Sequence, residues 1–274
     1  MPISLVLSFC PFNLSTTELL ARKEDLYPQA KQLGYVLIPE LLSATQAQEA
    51  RSLILKLAEE ERQQGKLLID GERERLFNLV YKGEIFEFMV QHPRVIEIIE
   101  AILGEDMTLG GFSAHILNPG ATNMGMHVDY PYWTMRLPFP ASPVMEVQVI
   151  WMVEDFTEDN GAPIFAPGSQ KFCSPPDLEH FFKVAQKVTG KAGSVVISHG
   201  LCWHDTSVNS AEKPRVSILG NYTPKFVRPL QDPSRELRQE VIDRATPKLK
   251  QLLGYEFRSA LFKDVERIRS GRWS

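Results

Sequence analysis

The chain reads as an α+β fold, with a central set of short antiparallel strands in a β-sandwich or jelly-roll arrangement and helices on either side of it in the sequence. Three observations predict this. The first third and the tail carry apolar residues at helical spacing. The middle breaks into short segments rich in β-branched and aromatic residues, separated by glycine and proline turns. Within Met145-Glu-Val-Gln-Val-Ile-Trp-Met-Val153 the odd positions are uniformly apolar while the even ones include Glu146 and Gln148. That alternation gives a strand one packed face and one face able to line a cavity.

Taken in order, Gly34-Tyr-Val-Leu-Ile-Pro39 is a short strand ended by proline. Ser43-x-x-Gln46 is a capping box, and Ala47, Ala50, Leu53, Ile54 and Leu57 follow at helical spacing. Another helix begins near Pro93, carries Val95, Ile98, Ile99 and Ile102, and stops at Gly104. Strands are expected at Gly110 to Leu117, Met145 to Val153, Pro163 to Ala166, Ser194 to Ser198 and Val216 to Tyr222. The tail returns to helix, with Asp232 as N-cap, Pro233 as N1, and Leu237, Val241, Leu249, Leu252 and Leu253 as its apolar residues. Repeats and linkers are absent from this sequence, so one domain over 1–274 is expected, with its core at about 34–224 and a helical tail at 231–274.

The 274 residues are enough to bury a substantial core, and 43% hydrophobic with 23% charged residues is ordinary globular composition. A net charge of −4 without a Lys/Arg block argues against a nucleic-acid partner. Three widely spaced cysteines, Cys10, Cys173 and Cys202, suit a reducing cytoplasm better than a disulfide scaffold. No run of 18 apolar residues exists, so no membrane span is expected. Met1 to Phe12 is apolar but lacks a basic start and a small-residue cleavage site, and reads as a terminal segment rather than a targeting signal. Nothing in the sequence specifies an oligomeric state.

The chemistry concentrates in His127-Val-Asp129, Trp203-His204 and Arg215. A lone H-x-D occurs often by chance, but in an extended segment positions 127 and 129 point to one face and can reach one ion. Two imidazoles and a carboxylate can hold iron(II) on one triangular face and leave the other positions open. The second imidazole has to come from a distant strand, and His199 and His204 both qualify. An arginine downstream supplies an always-charged fork for a cosubstrate bearing a carboxylate. Together these suggest oxygen activation with iron(II) and 2-oxoglutarate.

With those pieces in place, the stretch from about 34 to 224 resembles the phytanoyl-CoA dioxygenase family of iron(II)/2-oxoglutarate oxygenases. The resemblance is carried by Gly34 to Pro39, Met126-His127-Val128-Asp129, Asp159-Asn160-Gly161, Ala166-Pro167-Gly168-Ser169, and His204 with Arg215 and Ser217. Gln170 stands where family members usually carry a histidine, a departure outside the metal ligands.

The resemblance implies a double-stranded β-helix (jelly-roll) core and the metal ligands His127, Asp129 and His204, since the distal histidine lies eleven positions before the arginine. It also implies that 2-oxoglutarate uses Arg215 and Ser217, that O2 is consumed, and that succinate and CO2 are released as a small molecule is hydroxylated. Asp129 argues against halogenation, because related halogenases carry a small residue there.

Substrate-side candidates are Tyr130, Tyr132 and Trp133 in the loop after the motif, Gln148 on the alternating strand, and Arg75 or Asn78 from the helical region. Packing and solvated roles compete for each. The acidic balance and the lack of a basic cluster disfavour an acyl-CoA substrate, leaving a secondary metabolite or an amino-acid-like compound ahead. An acyl-CoA hydroxylase, a metalloenzyme that uses no 2-oxoglutarate, and a non-catalytic metabolite-binding jelly roll are the alternatives.

Overall fold

The computed structural model describes residues 23–255 and 269–270. The apolar stretch from Met1 to Phe12 and most of the tail beyond residue 255 lie outside the described residues. In chain order come α1 (Lys23–Leu33), β1 (Tyr35–Ile38), α2 (Ala44–Gln63), β2 (Leu68–Asp70), β3 (Arg73–Leu76), α3 (Glu84–Val90), α4 (Pro93–Leu103) and β4 (Met107–Leu117). Then follow β5 (Val147–Met152), β6 (Pro163–Phe165), α5 (Leu178–Val184), β7 (Gln186–Lys187), β8 (Val195–His199), β9 (His204–Thr206), β10 (Arg215–Pro224), α6 (Gln239–Arg244) and α7 (Pro247–Leu252).

A seven-stranded antiparallel sheet runs β1-β8-β5-β10-β4-β3-β2, and a three-stranded sheet, β7-β6-β9, faces it. This is the jelly-roll core, with helices at both ends of the described chain. The large sheet has two apolar faces' worth of work to do, and strand alternation divides it. Val147, Val149 and Trp151 of β5 pack under the helices with Ile54, Phe86 and Ile99. Ile150 and Met152, on the other face, pack between the sheets with Phe156 and Phe165.

The capping box forms as the sequence predicts. The Ser43 hydroxyl accepts from the Gln46 backbone N–H, the Gln46 side chain accepts from the Ser43 N–H, and α2 buries Ala47, Ala50, Ile54 and Ala58. Pro93 occupies the first turn of α4, and Gly104 closes it at φ +84°.

Two expectations need correction. The first third is not purely helical: β2 and β3 form a hairpin that extends the sheet beyond β4. Its polar composition hides it, and its signal is the Asp70-Gly71 turn, with Gly71 at φ +56°. The tail is not one helix started by Asp232. Residues Pro233–Glu236 make a single 3₁₀ turn, Asp232 is left-handed and provides no side-chain cap, and Pro247 starts a separate helix. Even so, Val241, Ile242, Leu249, Leu252 and Leu253 are buried in the main core. Among the described residues, no helix is long and apolar enough to cross a membrane.

Candidate active site

The site lies between the two sheets. A reciprocal backbone bridge sets its centre: His127 N–H donates to the His204 carbonyl at 3.0 Å, and His204 N–H donates back at 3.2 Å. The bridge brings the two imidazoles, from segments far apart in sequence, to a ring-centroid separation of 4.3 Å. Asp129 follows two residues after His127 on the same side, its N–H tied to the Gly200 carbonyl at 2.8 Å. One ligand atom from each of His127, Asp129 and His204 lies within 4.8 Å of the other two.

The hydrogen bonds fix the tautomers. His127 Nδ1 faces the Gly125 carbonyl at 2.8 Å and His204 Nδ1 faces the Cys202 carbonyl at 2.9 Å. A carbonyl only accepts, so each Nδ1 donates and each neutral ring keeps its Nε2 lone pair free. Burial holds both imidazoles below their ordinary pKa, which keeps them neutral. Burial also raises Asp129 to about 6, opposed by the nearby His127. Asp129 Oδ1 accepts from Gln148 Nε2 at 3.1 Å, while Oδ2, fully buried, has no partner. Two neutral imidazole nitrogens and a buried carboxylate, its Oδ1 3.6 Å from His204 Nε2, are a donor set that fits a divalent iron.

Arg215 opens β10 and is 4% exposed. Its Nη1 donates to Ser217 Oγ at 2.7 Å, its Nη2 donates to the Gly161 carbonyl, and its guanidinium lies 4.5 Å over the Phe156 ring. Nε has no partner. Burial lowers its pKa to about 10, so it stays cationic at neutral pH. A buried guanidinium held by neutral groups fits a ligand carboxylate. The Asn160-Gly161 turn contributes directly here: Asn160 braces the loop through the Asp155 carbonyl, and Gly161 at φ +81° turns its own carbonyl to Arg215. Ser169 acts on the other strand, its hydroxyl donating to the Ala166 carbonyl and accepting from Trp203 N–H at 2.8 Å, one residue before His204. Gln170 donates to the Lys31 carbonyl at the end of α1.

Tyr130, Trp133, Gln148 and Arg75 line the cavity together with His127, Asp129, His204, Arg215 and Ser217. Tyr132 and Asn78 do not. The Tyr132 ring is fully buried, its oxygen accepts from Met145 N–H at 2.8 Å, and it packs on Phe139. Asn78 sits in a left-handed turn ahead of the 3₁₀ segment Leu79–Tyr81. His199 also lies outside the triad: its Nδ1 accepts from Leu201 N–H at 3.0 Å and its ring stacks on Tyr132. His115 also lines the cavity.

Among the cavity residues not singled out as candidates by sequence, four polar ones stand out. Asp205 holds the loop before the motif, accepting from Met124 N–H at 3.0 Å and from Asn123 Nδ2 at 3.2 Å. Glu146, Asn221 and Thr223 stand on the inner faces of β5 and β10 or at their ends. Only Glu146 left a trace in the sequence, as the other polar member of the alternating strand.

The fold and this arrangement are those of a jelly-roll oxygenase, and comparison with known proteins agrees. The sequence profile of the phytanoyl-CoA dioxygenase (PhyH) family matches residues 30–217. Dioxygenase af480 of Aspergillus fumigatus is 30% identical over 238 residues, covering 84% of this chain and 76% of its own. The Fe(II)/2-oxoglutarate-dependent dioxygenase nvfF of Aspergillus novofumigatus is 25% identical over 211 residues, 75% of this chain and 68% of its own. The crystal structure of the epimerase SnoN in complex with Fe3+, alpha ketoglutarate and nogalamycin RO superposes with a TM-score of 0.61 at 18% identity, covering 73% of this chain and 82% of SnoN. The chain belongs to the phytanoyl-CoA dioxygenase family, a class of dioxygenases dependent on iron(II) and 2-oxoglutarate.

Proposed function

We propose that this enzyme hydroxylates a small organic molecule, a secondary metabolite or an amino-acid-like compound, with His127, Asp129 and His204 holding iron(II) and Arg215 with Ser217 holding 2-oxoglutarate. The observation that carries the reading is the pairing of two Nε2 lone pairs, freed by the Gly125 and Cys202 carbonyls, with the buried Asp129 carboxylate, whose Oδ1 lies 3.6 Å from His204 Nε2. When bound, iron(II) and 2-oxoglutarate supply the activation of O2, with succinate and CO2 as coproducts.

The protein's own residues do the rest. Gln148 orients the Asp129 carboxylate by donating to Oδ1, the oxygen that lies 3.6 Å from His204 Nε2. Arg215 takes the far carboxylate of 2-oxoglutarate through its charge and N–H groups, and Ser217 adds a hydroxyl on the same strand face. Phe156 beneath the guanidinium and Ile150 and Leu219 on the cavity wall exclude water. The small-molecule class is supported by relatives: the solved SnoN is described as acting in nogalamycin biosynthesis.

The test is an anaerobic titration of the apoprotein with iron(II) and then 2-oxoglutarate, followed by visible absorption. A metal-to-ligand charge-transfer band is expected in the wild type and its loss in His204→Ala. Iron binding without a band in the wild type sinks the cosubstrate assignment.

A further inference from the structure

The residues assigned to iron and 2-oxoglutarate occupy only part of the cavity. Along β10, Arg215, Ser217, Leu219, Asn221 and Thr223 all line it, so the strand carries one inward row. Asn221 lies six residues from Arg215, about 20 Å along a strand. At that far end the chemistry changes from a fixed cation to a group of oxygens.

Four cavity-lining side chains there and beside Asp129 carry buried polar atoms with no partner: Glu146 Oε2, Gln148 Oε1, Thr223 Oγ1 and Gln231 Oε1. Glu146, Gln148 and Thr223 are 1%, 4% and 1% exposed. Glu146 Oε1 accepts from Asn221 Nδ2 at 2.8 Å, and Gln148 spends its amide donor on Asp129. The Asn221 and Gln148 amides are thus engaged, leaving Glu146 Oε2, Gln148 Oε1 and Gln231 Oε1 as acceptors without donors, beside a Thr223 hydroxyl that can donate or accept. Buried polar groups are normally paired, so four together call for a partner.

The backbone keeps room for the cluster. A Cβ on Gly200 would lie 2.5 Å from Glu146 Oε2, and one on Gly111 would lie 2.6 Å from Gln231 Cδ. The mouth above is apolar. Trp133 and Leu230 line it at 53% and 57% exposure, and Tyr130 packs edge-on to Trp133 while donating to the Arg228 carbonyl at 2.8 Å.

We propose that this end of the cavity is the substrate's anchoring subsite, and that it takes a hydrogen-bond-donating group, an amine or a hydroxyl, on an otherwise apolar molecule. The proposal rests on the assignment of Arg215 and the triad to cosubstrate and metal, and deepens it by naming the substrate's chemistry. Glu146, with one oxygen on Asn221 and the other without a partner, makes the principal contact. Gln148, Thr223 and Gln231 complete the shell, and Trp133 and Leu230 receive the apolar body.

The experiment measures affinities by saturation-transfer NMR for four probes of one shape: cyclohexylamine, cyclohexanol, methoxycyclohexane and cyclohexanecarboxylate. The protein is used with zinc(II) and 2-oxoglutarate bound, and again without either. The amine or the alcohol is expected to bind about tenfold more tightly than the ether, which only accepts, and than the carboxylate. Thr223→Val and Glu146→Gln, both close in shape to the parent residue, are expected to erode that preference. Selective loss for the amine in Glu146→Gln assigns the group as an ammonium, and equal loss for amine and alcohol assigns it as a hydroxyl. Equal binding of all four probes, binding of none, or a donor preference untouched by both variants overturns the proposal. A charge-transfer band with iron(II) and 2-oxoglutarate alongside lost selectivity refutes the subsite alone. Selectivity without the band refutes the cosubstrate assignment instead.

Discussion

Two backbone carbonyls decide what the imidazoles can do. Because Gly125 and Cys202 take the Nδ1 protons, the rings need no proton shift to ligate metal. Arg215 is constrained in the same way, by Ser217, Gly161 and the face of Phe156, so its guanidinium is oriented before any anion binds. Arg215→Ala is expected to weaken 2-oxoglutarate binding by about 2–5 kcal/mol, the usual cost of truncating a buried charge partner. Anaerobic titration of the iron(II) form reads this directly, and unchanged affinity would remove Arg215 from the cosubstrate site. At this scale the sequence was most informative. His127, Asp129, His204 and Arg215 are chemically distinctive and ordered along the chain. Asn221 and Thr223 look like any strand residue, because what marks them is visible only in the fold: the Glu146 carboxylate that Asn221 holds and the missing partner of Thr223 Oγ1.

At the scale of elements, the site depends on tight joins between strands. Leu42 N–H donates to the Gly193 carbonyl at 3.1 Å, where the turn after β1 meets the start of β8. Gly193 holds φ +90°, and a Cβ there would lie 2.2 Å from the Leu42 carbonyl oxygen. Gly193→Ala is therefore expected to cost at least ~1–2 kcal/mol from backbone strain alone, with the contact adding to it. Ser43→Ala, which removes only the exposed α2 cap, is expected to cost ~1 kcal/mol. Urea denaturation compares the two, and a Gly193 variant no less stable than the cap variant would show that the join yields easily. The elements themselves were unevenly legible. β5 and α2 announce themselves by period, whereas the β2–β3 hairpin does not, since Leu68 and Ile69 are exposed and its strands carry charge.

For the whole molecule, one apolar cluster runs from Leu26 in α1 through Trp151 in β5 to Leu253 after α7. A core assembled from both ends of the described chain is expected to unfold in one cooperative transition. Ending the chain after Leu230 would strip Val241, Ile242, Leu249, Leu252 and Leu253 from that core, at roughly 1.5–3 kcal/mol for each buried side chain. That sum is comparable to a domain's whole stability, so the shortened protein is expected to lose its cooperative thermal transition. A calorimetric scan that still shows a full-height, single transition would mean the tail is an accessory.

The sequence by itself determined the class of the enzyme: local periodicity sets the strands, and the order and types of His127, Asp129, His204 and Arg215 set the chemistry they can perform. Only the tertiary structure decided which side chains share the cavity. Tyr132 turns into a buried cluster while Tyr130 and Trp133, its near neighbours, reach the mouth. Glu146 meets Asn221 across 75 residues of chain. Such pairings follow from strand register, and register is settled by packing the entire sheet rather than by any local stretch of residues.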